Sequence, residues 1–226
     1  MSAVRVNMVV EGDTEEAFVK QVLAPYLSLK QVYLFARKVT TSRRRRIRGG
    51  MTSYGRARND IERWLKQDTP AYCTTMFDLY GLPTDFPGFE EGRRQQDPYA
   101  RIAHLEAAFE EDIDHRRFIP FFLLHEFEAL LLSDHAKLDE ILSLLSGSPS
   151  RQFELSVLLA ASGGAEKIND NPETAPSKRL NQFYPDYEKV LFGVLVAEEI
   201  GIEGIRAKCP HFDEWVSKLE RLAPLS

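Results

Sequence analysis

Four carboxylates follow short apolar runs. Glu11 comes after Val4–Val10, Asp78 after Ala71–Phe77, and Glu126 and Glu128 after Phe118–Leu124. Each run is short, rich in β-branched or aromatic residues and closed by turn residues, the pattern of a buried strand. If the strands are parallel, their carboxyl ends share one edge, where open α/β sheets bind ligands. Acids gathered there repel one another, and burying them unpaired is costly. A hard divalent cation, Mg²⁺ or Mn²⁺, removes that cost and suits carboxylate, water and phosphate oxygens. Such an ion activates water and offsets charge in an in-line displacement at phosphorus. Taken singly, Glu11 and Asp78 could equally cap helices or turns, and Glu126 and Glu128 could pair with arginines.

The elements that would position these acids are legible. Helical spacing over 14–29 puts Ala17, Phe18, Val22, Leu23 and Tyr26 on one side, with Asp13 or Thr14 as N-cap. Val32–Val39 reads as a second strand, 54–65 as a helix and Asp97–Asp112 as another. The fourth strand contains Pro120, which predicts an edge or a bulge. The order β-α-β-α-β-α-β predicts an α/β domain over 1–134, a parallel four-stranded sheet flanked by helices. Beyond it, 138–145, 153–161, 187–200 and 212–222 read as a helical C-terminal extension over 135–226. The stretch 162–177, rich in Gly, Pro and Asn, reads as a loop in which Lys178 and Arg179 border Asn169, Asp170 and Asn171.

Charge is unevenly spread. From Lys30 to Lys66 there are twelve Lys or Arg and two acids, a net of +10. The chain carries −5, so the remainder carries −15. Arg43, Arg44, Arg45, Arg46 and Arg48 form the centre of this segment, before Gly49 and Gly50. The run reads either as a solvated loop or as a phosphate-binding arm on an acidic body. Lys178 and Arg179 could approach a phosphate too, or pair with acids of the body. His125, beside the acids, is a candidate ligand or general acid/base. His211 lacks zinc spacing and reads as part of a helix cap. No phosphate-binding GxxxxGK[ST] loop or nucleophile elbow occurs, which argues against ATP hydrolysis and serine catalysis. No stretch is long and apolar enough to span a membrane. Cys73 and Cys209 form no framework, as expected of a reduced, cytoplasmic setting.

VEGDTE after the first strand, the acid in FD after the third, and HEFEALLLSD after the fourth resemble Toprim-like proteins. More narrowly they resemble the group catalogued as domain of unknown function 4276, as do NDNPETAPSKRLNQFYPDYEK and CPHFDEWVSKL. The resemblance spans nearly the whole chain. It implies a Rossmann-like sheet and Mg²⁺ (or Mn²⁺) held by Glu11 and Asp78, with cleavage or joining of DNA or RNA. It also implies bacterial defence work beside a separate ATPase. The family's D-x-D pair is broken here by Tyr80, so Asp85, Glu126, Glu128 or Glu15 would have to supply the missing ligand. The expectation is therefore a metal-dependent nuclease. A binding module with impaired catalysis and an enzyme of small phosphates are the alternatives.

Overall fold

A computed structural model describes residues 3–39, 53–168 and 175–225. The elements are β1 (Val4–Val10), α1 (Asp13–Phe18), a π-helical turn (Val19–Leu23), α2 (Ala24–Ser28), β2 (Val32–Lys38) and α3 (Tyr54–Gln67). They continue with β3 (Ala71–Asp78), α4 (Phe89–Gly92), α5 (Pro98–Ile113), β4 (Phe118–Ile119), β5 (Phe122–Leu123) and α6 (Glu128–Leu131). The remainder is helical: α7 (His135–Ser146), α8 (Gln152–Ser162), α9 (Pro176–Phe183), α10 (Lys189–Arg206) and α11 (Pro210–Glu220). The protein is thus α/β, a parallel sheet flanked by helices with a helical C-terminal part.

The strand order is β2-β1-β3-β4, all parallel, with β5 pairing β3 beyond β4. Pro120 splits the fourth strand position into β4 and β5, because its missing N–H interrupts the ladder. β1 and β3 are central neighbours. From β1 the chain passes through α1 and α2 to β2 on one side. From β2 it crosses back through α3 to β3. The gap between the carboxyl ends of β1 and β3 is therefore the topological switch point.

The two sheet faces bury different cores. Val4, Val6, Met8 and Val10 face α1 and α2 and share one core with Leu138, Phe212 and Trp215 of the C-terminal helices. Val9, Cys73 and Phe77 face α3 and α5, packing on Ala57, Ile61 and Phe109. The alternation along β1 produces this split, since successive side chains point to opposite faces.

Several local expectations change. The N-cap of α1 is Gly12, not Asp13 or Thr14, and the Glu15 carboxylate accepts the Gly12 N–H at 2.9 Å. Lys178 and Arg179 lie in α9, not in a loop: Pro176 takes the first helical position, where proline is tolerated. Asp85 accepts the N–H of Tyr54 at 3.1 Å and so serves the start of α3. α11 is capped by Glu166 rather than by the His211 side chain. Its oxygens accept the N–H groups of His211 and Phe212, each at 3.0 Å, and the Tyr99 hydroxyl at 3.0 Å.

Candidate metal centre at the carboxyl ends of β1 and β3

β1 ends at Val10 and delivers Glu11 to the switch point. Glu11 Oε1 accepts the backbone N–H of Asp78 at 3.0 Å, tying the ends of β1 and β3 together. The chain then makes a tight 3₁₀ turn, Leu79–Gly81. Gly81 is needed there for closeness: a Cβ would stand 3.1 Å from Glu11 Oε2. The turn is held from the fourth strand as well, because the Tyr80 N–H donates to the His125 carbonyl at 3.3 Å. His125 is fully buried, adopts a left-handed backbone (φ 69°) and packs its ring 5.1 Å from that of Tyr80. Its visible work is to hold this turn.

Glu128 opens α6 and is completely buried. The Lys189 ammonium at the start of α10 lies 3.1 Å from Glu128 Oε2 and 3.7 Å from Asp78 Oδ2. Tyr187 Oη donates to Glu128 Oε1 at 3.5 Å. α10 approaches α6 closely because position 193 is glycine. A Cβ there would lie 2.9 Å from Tyr187 Oη and 3.2 Å from the Phe127 ring. Lys189 and Tyr187 were not among the residues expected from sequence.

Electrostatics follow from this geometry. Burial pushes the Asp78 carboxyl well above its usual range. Lys189 opposes the shift, while Glu15, Glu11 and Glu128 add to it. Burial likewise raises Glu128, against Lys189 and with Glu126. For Lys189, burial disfavours the ammonium, but the charges of Asp78, Glu128, Glu15 and Glu126 outweigh it and hold the proton on. Asp78 Oδ1 is buried and accepts no hydrogen bond from the described residues. Among the described residues the site is a knot of four acids, Glu11, Glu15, Asp78 and Glu128, with Lys189 as counter-charge.

This knot fits a hard divalent ion in donor type, all carboxylate oxygen, and in its surplus negative charge. In the present arrangement Lys189 separates Asp78 from Glu128, and among the described residues no three His, Cys, Asp or Glu side chains are disposed to hold a metal.

Glu126 is turned elsewhere: its Oε2 accepts the Ser177 N–H at 3.0 Å, at the start of α9. That contact brings the exposed Lys178 and the partly buried Arg179 beside the acidic edge. Arg43, Arg44, Arg45, Arg46 and Arg48 lie outside the described residues. A groove of about 640 Å³ between α5 and α11 contains none of these strand-end acids. Its charged lining is mostly acidic, Glu106, Glu110 and Glu214 against Lys218, which is unsuited to a polyanion. No described helix is long and apolar enough to cross a membrane.

A parallel α/β sheet with buried acids at its switch point defines the class of protein. Residues 10–220 match the family model described as "Domain of unknown function (DUF4276)", and the chain belongs to that family. No functionally curated protein matches it significantly. Among solved structures, the chain is similar to the C-terminal region of the Burkholderia pseudomallei OLD protein, with 17% identity, 96% of each chain covered and a TM-score of 0.43. It is also similar to the C-terminal region of the Xanthomonas campestris pv. campestris OLD protein, with 14% identity, 95% of this chain and 97% of that one covered, and a TM-score of 0.38.

Proposed function

We propose that the chain is a Mg²⁺- or Mn²⁺-dependent phosphodiesterase acting on nucleic acid. The observation that supports this most is the partly buried Asp78 carboxylate, whose buried Oδ1 accepts no hydrogen bond from the described residues, among Glu11, Glu15 and Glu128 at the switch point. Glu11, Asp78 and Glu128 would hold the ion. Glu15, one turn along α1, would replace the acid absent at Tyr80. Glu126 would act only on the charge of the site, through its place beside Glu128. A bound ion would supply an activated water and positive charge at the phosphorus.

The chain's own residues do the rest. Glu11 fixes the backbone of Asp78, so two donors move as one. His125 and Gly81 hold the turn that follows Asp78. Lys189 is kept charged and, released from the carboxylates, would face the phosphate. Lys178 and Arg179, at the N-terminus of α9, would take the substrate backbone, and the arginines at 43–48 would extend that grip. Work beside a separate ATPase in bacterial defence fits the Toprim-like motif pattern and belongs to the same proposal.

The test is incubation of the purified chain with plasmid and with single-stranded RNA, in Mg²⁺, in Mn²⁺ and in chelator, alongside Glu11→Gln. Metal-dependent cutting lost in the variant is expected. One observation favours a second reading, a binding module without catalysis: Lys189 already contacts both Asp78 and Glu128, where an ion would bind. Binding with no cutting under any metal, unchanged by Glu11→Gln, would select it.

A further inference from the structure

β2 is an edge strand, and among the described residues no element covers one of its faces fully. Val32 and Leu34 turn into the core on the α1–α2 side, while Tyr33 and Phe35 turn the other way. α3 lies over β1 and β3 on that other side, through Ala57, Ile61 and Leu65. It stops short of β2, leaving Tyr33 38% and Phe35 41% exposed. Trp64 of α3 flanks the opening. The Arg37 guanidinium lies 4.3 Å from the Trp64 ring and 5.8 Å from the Phe35 ring, and the Arg63 guanidinium lies 5.4 Å from Trp64.

Arg37 is positioned but not neutralised. Its Nε donates to Asn7 Oδ1 at 3.2 Å, and Asn7 Nδ2 donates to Asp68 Oδ2 at 3.1 Å. Asp68 in turn is ion-paired with Arg5, so the carboxylate nearest this network is already satisfied. Among the described residues no carboxylate lies within ion-pair distance of Arg37. Three partly exposed aromatic rings beside a cation that has no carboxylate partner among the described residues, on the basic segment of an acidic chain, suit an anionic, planar partner.

We propose that the β2 face, with Tyr33, Phe35 and Trp64 as stacking surfaces and Arg37 as phosphate contact, binds single-stranded nucleic acid. Alternate residues on one strand face lie roughly 6.6 Å apart, close to the spacing of bases in an extended single strand. Base–aromatic stacking tolerates any sequence, and duplex bases are not available for it. The direction is also right. β2 runs parallel to β1 and ends at Lys38, which pairs with Asp13 and Glu16 beside Glu11 and Glu15. A strand lying along β2 is led to the acidic edge. This inference rests on the phosphodiesterase reading for its purpose, but its binding claim stands alone.

The test uses the full chain in chelator, with fluorescent 15-mers of thymidine and uridine and a duplex of equal length. Trp215 is buried, stacked on Phe121 and hydrogen-bonded to Thr74, so a change in tryptophan emission reports Trp64. Expected results are quenching by single strands, weaker binding of duplex, and affinity reduced about five- to one-hundred-fold by Tyr33→Ala or Phe35→Ala. Arg37→Gln should flatten the salt dependence by about 0.7 in log–log slope. Unchanged melting temperatures establish that these exposed substitutions leave the fold intact.

Unaltered emission at saturating oligonucleotide, or aromatic variants that bind like the unmodified chain, would overturn the proposal. So would a dimer in sedimentation that Phe35→Ala dissolves without affecting oligonucleotide affinity, since that assigns the face to a second copy. Cutting by the unmodified chain with no role for Phe35 would remove this platform and leave the phosphodiesterase standing. Phe35-dependent binding with no cutting under any metal would do the reverse.

Discussion

Replacing Lys189 by Met removes the ammonium that Asp78 and Glu128 share. Methionine fills similar volume, so the effect is chiefly electrostatic. Breaking a buried ion pair from one side costs about 3–5 kcal/mol, because a charge is left uncompensated. Glu128 is completely buried, but the Lys189 side chain is 34% exposed, so water already screens part of the interaction. About 2–3 kcal/mol remains after that discount. For a chain of this size that is a fall in Tm of about 4–12 °C.

The cost depends on pH in a definite direction. Asp78 and Glu128 sit above their unfolded range in the folded chain, so the folded state binds more protons. The associated stability is complete below about pH 4 and is lost as pH rises through the raised values. Without Lys189 those values rise further. The deficit of Lys189→Met should therefore be largest near pH 8 and shrink on acidification toward pH 5. The assay is urea unfolding at both pH values in chelator, with the slope checked for constancy. An equal deficit at the two pH values, or none, would show that these carboxylates do not depend on Lys189.

Glu166→Ala uncaps α11 and strands two backbone N–H groups and a tyrosine hydroxyl, so it should cost about 3 kcal/mol in urea unfolding. Gly81→Ala presses on Glu11 and should weaken Mn²⁺ binding about 10–100-fold by calorimetry, as displaced support of a ligand does. At His211, burial disfavours the proton, but the Glu106 hydrogen bond and the charges of Glu106 and Glu166 outweigh it, so its value is raised. Its stabilisation is complete below about pH 6.5 and is lost as pH rises through the raised value. Glu106→Gln should flatten the stability change between pH 6 and pH 8.

The strand-end acids were legible because local pattern sufficed. An apolar run, an acid and a glycine place Glu11 with no knowledge of the rest of the chain, and β3 ends at Asp78 in the same way. Pro120 announced the break in the fourth strand for a reason internal to its own residue. What the local pattern did not reveal depended on distant partners. Glu126 reads like its neighbour Glu128, yet it accepts the Ser177 N–H from fifty-one residues away. The Gly, Pro and Asn composition before residue 177 suggested a loop, whereas Pro176 there begins α9. Lys189 is one lysine among many in sequence. Only the packing of α10 on α6, which Gly193 permits, sets its ammonium between two acids from elsewhere. The exposed face of β2 was hidden for a similar reason: alternation reveals which residues share a face, but not that α3 leaves this one uncovered.

The central claim is that Asp78 and its neighbouring acids hold a divalent ion. Anomalous diffraction from crystals grown with Mn²⁺ tests it directly. A peak on the Asp78 carboxylate, with Lys189 withdrawn from Asp78, is the predicted result. Crystals in which Mn²⁺ binds only elsewhere, and Lys189 still bridges Asp78 and Glu128, would contradict it.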